Sequence, residues 1–319
     1  MKKMLLLTAG ALLSLAACDS NEMDNNQSLN DGSALFSATI DGQQLTRAYN
    51  DQWEGGDMIG ITGTCGTRDY TNVGYASTAG KENDFEFKEG DKIYYEDNGT
   101  VTFTAYYPWK MELSATTTFD FATTAQSNQK KFDYLWAQGK GSKNQPKVDF
   151  NFTHCMSKMA ITVKAGNDIT YEEVKTALCS LENHLYQATF DRTDGNVTAR
   201  GNALTKWCFN KEGTSECTSD ITLDEKNSSV TYGLILPPQT FEGASLLFTA
   251  EVNTGDAAGT QEFTAVIDLR EFEENGDENI LRPGIQYNIT INVNKTGLTI
   301  GTCSITGWVN YSHEINAGM

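Results

Sequence analysis

An all-β fold, built as two tandem antiparallel β-sandwich domains, is what this sequence predicts. Three observations predict it. Apolar and polar residues alternate in short runs, as strands with one face on a core require. Gly, Asn and Asp recur between the runs, roughly every 8–15 residues, where turns need them. The clearest run, Ile285, Tyr287, Ile289, Ile291 and Val293, alternates strictly with polar residues. The chain has 319 residues, and 302 remain once the first 17 are set aside as argued next. That is more than one ordinary domain and about right for two.

The first stretch is a leader. Lys2 and Lys3 precede a short apolar run from Met4 to Leu13, which leads into Leu15-Ala16-Ala17-Cys18. A charged, then apolar, then small-residue segment ending in cysteine is a secretory signal with a lipobox. Residues 1–17 therefore read as signal peptide and Cys18 as the lipidation site. The apolar run falls short of the roughly 20 residues that span a bilayer, so lipid on Cys18 is what would hold the mature chain to a membrane. Residues 18–33 are polar and acidic, a flexible tether.

The N-terminal sandwich is expected over 34–167. Phe36, Ala38 and Ile40 share one face of a first strand, closed by the turn Asp41-Gly42. Polar sequence containing Arg47 follows, and then Trp53 to Ile61 turns into a buried strand. Further strands read at Asp84–Phe87, Val101–Tyr107 and Phe132–Ala137. Phe150, Phe152, His154 and Met156 keep one parity while Met159, Ile161 and Val163 take the other, which predicts a bulge near Ser157. Ala165 to Asp168 reads as the junction.

The C-terminal sandwich is expected over 168–319. Thr170 and Glu173 have capping-box spacing, so a short helix follows, although Ala177–Leu181 fits strand equally. Strands then read at Tyr186–Phe190, Val230–Leu236, Ser245–Val252, Glu262–Leu269 and Ile285–Val293. Leu298 to Met319 is a final extended tail.

The composition excludes several functions. Net charge is −18, and −20 without the leader, a surface that repels nucleic acid and anionic lipid. No GxSxG, HExxH, Walker loop or metal-spaced His/Cys set occurs, so no catalytic centre, metal site or cofactor site is assigned. His154 and Cys155 are strand neighbours on opposite faces and cannot act as a pair. Besides Cys18 there are six scattered cysteines. Cys208 and Cys217 flank a hairpin-like loop and fit either a cross-strand disulfide or two buried thiols.

Several stretches together resemble the fimbrillin family, the lipoprotein precursors of type V pili. They are the lipobox at Cys18; Leu45-Thr46-Arg47-Ala48; Trp53-x-x-Gly56-Asp57-x-Ile59-Gly60; and Phe103-x-Ala105-Tyr106-Tyr107-Pro108. Phe152-x-His154-x-x-Ser157-Lys158-x-x-Ile161, Leu234–Pro237 and Pro283-Gly284-x-x-Tyr287 through Ile305-x-x-Trp308 complete the set. The chain departs from the pattern at Leu236-Pro237-Pro238-Gln239, with one proline more than the family's usual Pro-Gln.

The resemblance implies transthyretin-like sandwiches and a non-enzymatic, structural job in a fimbrium at the outer membrane and cell surface. It implies that an arginine-specific protease removes the first strand; Arg47–Ala48 is the expected cut, with Arg68 as its rival and an uncut loop arginine as the other reading of Arg47. A C-terminal strand of another fimbrial subunit then fills the groove by donor-strand exchange. Ile305, Val309, Tyr311 and Ile315 lie on one parity of a tail whose only charge is Glu314, and they are the expected donor residues. An ordinary intramolecular edge strand is the other reading of that tail. Surface glycans or proteins are the adhesion targets this implies. A surface glycan-binding lipoprotein, with Trp53, Trp109, Trp136 and Trp207 as a sugar platform, is the alternative function.

Overall fold

The computed structural model describes residues 31–40, 52–241, 245–253, 259–272 and 278–308. Eight strands come first: β1 (Leu35–Ile40), β2 (Met58–Cys65), β3 (Arg68–Thr78), β4 (Lys81–Glu89), β5 (Val101–Tyr107), β6 (Thr118–Ala122), β7 (Leu135–Gly141) and β8 (Lys147–His154). All but β6 are hydrogen-bonded into a closed barrel in the order β1-β4-β3-β2-β5-β7-β8. Two seams are thin, because β1 meets β4 and β7 meets β8 through two residue pairs each. The barrel therefore has two faces over one core, a β1–β8 pair opposite a five-stranded sheet. Phe36 of β1 crosses that core to Tyr75 of β3 and Phe103 of β5, at ring-centroid distances of 4.8 and 5.4 Å.

Gly60 on β2 shows how tightly the outer layer packs. A Cβ there would run into the Tyr106 ring and the Asn72 side chain. Asn72, buried at φ +54°, accepts from Tyr106 Oη at 2.7 Å and donates to the Lys110 carbonyl at 2.7 Å.

The second half comprises β9 (Ser157–Ala165), α1 (Tyr171–Thr176), β10 (Leu178–Glu182), β11 (Gln187–Asp191), β12 (Val197–Arg200), β13 (Trp207–Cys208), β14 (Ile221–Asp224) and β15 (Ser229–Leu236). After them come β16 (Gln239–Thr240), β17 (Leu246–Asn253), β18 (Thr260–Ile267), β19 (Ile280–Leu281), β20 (Ile285–Asn294) and β21 (Gly297–Gly307). A five-stranded sheet, β14-β15-β9-β20-β21, and a four-stranded sheet, β13-β10-β17-β18, enclose a second core. The capping box at Thr170 and Glu173 is formed, and strand resumes at Leu178, so both readings of that stretch hold in sequence.

Two features differ from the expectation. The pairs β1·β8 and β9·β20 are parallel, whereas only antiparallel pairs were expected. Parallel pairing joins segments far apart in the chain, and turn chemistry, a local signal, says nothing of them. The parity change near Ser157 is also not a bulge. β8 ends at His154, and β9 starts at Ser157 in the other sheet. Phe150 and Phe152 serve the first core, while Met159, Ile161 and Val163 serve the second. The change of partners thus falls at Cys155–Met156, ahead of Ala165–Asp168.

The halves are clasped. β6 pairs with β11 in a separate sheet, β12-β11-β6, which crosses from one half to the other. β14 covers β15 only as far as Tyr232, so the backbone beyond needs other partners. Gln126 supplies them, donating to the Ile235 carbonyl at 2.9 Å and accepting from the Ile235 N–H at 3.1 Å. Gln129 donates to the Gly233 carbonyl at 2.9 Å. Between the halves lies a third core, with Tyr106, Tyr134, Phe190, Ile235 and Trp308.

His184 sits fully buried beside Trp207, at a ring-centroid distance of 5.1 Å, and neither ring nitrogen has a hydrogen-bond partner. Burial pushes its pKa down to about 4 from 6.5. The unfolded chain then takes up this proton first. The contribution is whole above pH 6.5 and is lost as pH falls through 4, by about 3 kcal/mol at most. His184→Leu should therefore flatten the loss of melting temperature between pH 6.5 and 4 relative to the parent chain. Parallel losses in the two proteins would show that His184 does not set the acid limb.

Candidate functional site

What the fold builds is a strand position. On β1, Phe36, Ala38 and Ile40 point inward and are no more than 3% exposed, while Leu35 and Thr39 face outward and are half-buried. The inward residues sit among Tyr75, Phe103, Phe150 and Phe152 in one core. β8 alternates without exception: Val148, Phe150, Phe152 and His154 are buried, and Lys147, Asp149, Asn151 and Thr153 are exposed. The ladder runs parallel from Leu35↔Lys147 to Ile40↔Phe152.

Among the polar contacts that hold β1 beyond that ladder are those of Trp53 and Asp149. Trp53, packed edge-on against Phe85, Tyr107 and Phe152, donates its Nε1–H to the Ala38 carbonyl at 2.9 Å. On the outer face the Ser37 hydroxyl donates to Asp149, which also pairs with Lys147 at 3.0 Å. The Ser37 hydrogen bond, then Lys147, hold the Asp149 carboxyl below its ordinary range. Both Asp149 and Trp53's role toward β1 escaped the sequence reading. The strict alternation of β8 was the signal for Asp149, since it leaves an acid on the face a neighbouring strand must read.

Of the expected donor residues, Ile305 lies within β21, paired opposite Tyr287 of β20. The intramolecular reading therefore holds for that part of the tail. β21 ends at Gly307, and the next residue is anchored. Trp308 is 4% exposed, donates its N–H to the Gly284 carbonyl at 3.0 Å, and stacks on His154 at 4.0 Å between centroids. Cys18, Arg47, Ala48, Val309, Tyr311 and Ile315 lie outside the described residues.

The ionisable groups are built for structure. His154 accepts or donates through Nδ1 at 2.9 Å from Asp133, and Cys155 Sγ turns to the Thr153 carbonyl with its pKa raised by burial. A cavity of about 390 Å³ beside them is lined by Trp136, Thr153, Asp194 and Gly284 among others. Among the described residues no three His, Cys, Asp or Glu side chains are grouped as metal ligands. Cys208 and Cys217 are half-buried free thiols. The four tryptophans do not share a surface. Trp53 belongs to the first core and Trp207 to the second, and Trp109 and Trp136 are half-buried against the third.

Comparison with known proteins gives a consistent result. A family model described as fimbrillin-like matches residues 46–308, which begin after β1 and end at Trp308. A Bacteroides uniformis protein named "Putative fimbrium subunit Fim1C" is 30% identical over 314 residues, covering 95% of this chain and 94% of its own length. Among solved structures, a "putative cell adhesion protein" of Bacteroides uniformis is 25% identical, with a TM-score of 0.66, over 88% of this chain and 99% of that one. A second such protein, from Bacteroides ovatus, shares the fold at 19% identity and a TM-score of 0.65, covering 87% and 98%.

Phe36→Ala should destabilise the intact chain by about 3–5 kcal/mol, as truncating a buried phenylalanine does. Leu35→Ala on the outward face should cost less than half of that. Denaturant unfolding of both variants checks this, and equal costs would mean that β1 does not complete the core.

Proposed function

Because the chain belongs to the fimbrillin-like family, we propose that it is a structural subunit of a surface fimbrium, a type V pilus, contributing to cell adhesion. It is exported as a lipoprotein on Cys18 and reaches the outer membrane and cell surface. There an arginine-specific protease cuts between Arg47 and Ala48. β1 is freed from its covalent link, and a C-terminal strand of another subunit takes its place.

The seating of β1 is the observation that carries this reading. The strand completes a core, yet it is held along one full ladder and only two pairs of another. While the chain is whole, its tether keeps β1 at high effective concentration, so a competing strand is excluded. Once cut, the six-residue strand is held by roughly 1 kcal/mol per hydrogen bond and its few apolar anchors. Ordering it costs about 1–2 kcal/mol per residue, so the terms nearly cancel and a competing strand can displace it.

The other arginines support Arg47 as the cut. A protease needs an extended, accessible backbone. Arg68 opens β3 and is paired opposite Cys65, and Arg200 is paired opposite Gln187. Arg192 is buried, its Nε–H on the Leu113 carbonyl at 3.0 Å. Arg270 lies in a one-turn helix against Asp268, and the Arg282 N–H is bound by Tyr287. Cutting at Arg68 would also take all of β2 out of the barrel.

Arg47→Ala should leave a folded, membrane-held monomer that does not polymerise with the protease present; normal polymer from that variant would end the processing reading. Cys18→Ser should release the precursor from the membrane fraction. Full membrane partitioning of Cys18→Ser would remove the lipid anchor from the account.

A further inference from the structure

The strand that leaves and the segment that follows Trp308 correspond at four of seven positions. β1 with its preceding residue reads Ala34-Leu35-Phe36-Ser37-Ala38-Thr39-Ile40. The residues after Trp308 read Val309-Asn310-Tyr311-Ser312-His313-Glu314-Ile315. Set side by side in the same direction, small apolar meets small apolar, aromatic meets aromatic, serine meets serine and isoleucine meets isoleucine. We propose that residues 309–315 of one copy enter the β1 position of a second copy parallel to β8, in the register that places Ser312 on Asp149, Tyr311 at the Phe36 site and Ile315 at the Ile40 site. This rests on the strand-exchange reading above and adds to it a direction, a register and a residue, Asp149, that selects them.

Parity comes first. The groove between β4 and β8 takes apolar side chains at alternate positions only, those of Ala34, Phe36, Ala38 and Ile40. A one-residue slip would turn the apolar set outward, so only slips of two compete. Moving the incoming strand so that Glu314 sits at the Ser37 position sets two carboxylates against each other at Asp149, and it puts His313 among Tyr75, Phe103 and Phe150. The opposite slip leaves Val309 in the space of the Phe36 ring and takes Ser312 away from Asp149. Reversing the strand about Ser312 exchanges Tyr311 and His313, which puts the imidazole in the Phe36 site. Of these arrangements, only the proposed register keeps both Tyr311 at the Phe36 site and Ser312 on Asp149.

The outer face agrees with that register. Ser312 there repeats the hydroxyl-to-carboxylate contact that Ser37 makes with Asp149. Asn310 falls beside Lys147, and Glu314 falls beside Asn151 rather than Asp149. The largest change on the inward face is His313 for Ala38. Trp53 is bonded to the main-chain carbonyl at that position, and a main-chain contact survives a change of side chain. Trp53 therefore finds an acceptor on the incoming strand too, and its fluorescence reports the exchange. The source of the strand is equally defined. Residues up to Gly307 are committed to the hairpin with β20, and Trp308 is anchored against His154 and Gly284.

The test is inter-subunit disulfide trapping in the full-length, protease-cleaved protein, with Cys208, Cys217 and Cys303 replaced by serine. Ser312→Cys is combined in turn with Lys147→Cys, Asp149→Cys and Asn151→Cys, all on the exposed face of β8. The Asp149→Cys combination should give a covalent ladder and the other two should not. A ladder only at 147 or 151 would overturn the register and leave strand exchange standing. Polymer without a ladder at any of the three would overturn strand exchange by this segment itself. A trap within one chain would show that the segment fills its own groove.

Should the cysteine variants not polymerise, a peptide of residues 308–319 added to the cleaved parent protein keeps the question open to measurement through Trp53 fluorescence. Ser312→Asp in that peptide should weaken binding about tenfold, and Asp149→Asn in the protein should restore it. Equal affinities of the two peptides would overturn the role of Asp149.

Discussion

The barrel depends on a strand that its neighbours cannot supply locally. β8 offers one edge of backbone donors and acceptors and one face of the core, and a parallel strand fills both. A parallel partner cannot arrive through a tight hairpin, so it comes from the far end of the domain, as β1. Everything placed around it follows from that. Trp53 is donated from just beyond the connection to cap the Ala38 carbonyl, and Asp149 meets Ser37 on the outside. Phe36 ties the two faces of the barrel across the core.

The two halves of the chain are packed against each other. Relative motion of two domains is the ordinary expectation when their interface is small and polar. Here the interface contains aromatic residues of both halves, a sheet shared between them, and two glutamine carboxamides serving β15 backbone that β14 leaves unpaired. Arg192 adds a buried guanidinium on the Leu113 and Thr116 carbonyls. The clasp strands β6 and β11 belong to a sheet of their own, separate from the barrel that holds β1.

Much of this was legible in the sequence where the signal is local. The all-β class, the alternation of Ile285–Val293, the first strand at Phe36–Ile40 and the capping box at Thr170 follow from short-range pattern, and the structure shows each. The pairing of distant segments was not legible. Parallel β1·β8 and β9·β20, the departure of β6 to pair with β11, and the sheet change at Cys155 are all decided by long-range packing. The parity flip at Ser157 was seen, but a bulge and a change of core leave the same local trace. Short edge strands such as β13 and β14 carry too few residues for any period to show.

The first strand and the last are joined to their partners in contrasting ways. β21 is eleven residues long, uncharged, and has the apolar character of a strand that could be traded between chains. Yet it is joined to β20 by a two-residue turn, Lys295-Thr296, so its closure entropy is small and its effective concentration is set by that turn. No cut at an arginine separates the two, because no arginine lies between Arg282 and the end of the sequence given. β1 has the reverse arrangement. Its partner β8 is more than a hundred residues away in sequence, and its own connection contains Arg47. Chain connectivity, more than the chemistry of either strand, sets the two apart: β21 is closed by a local turn, and β1 by a pairing between distant segments.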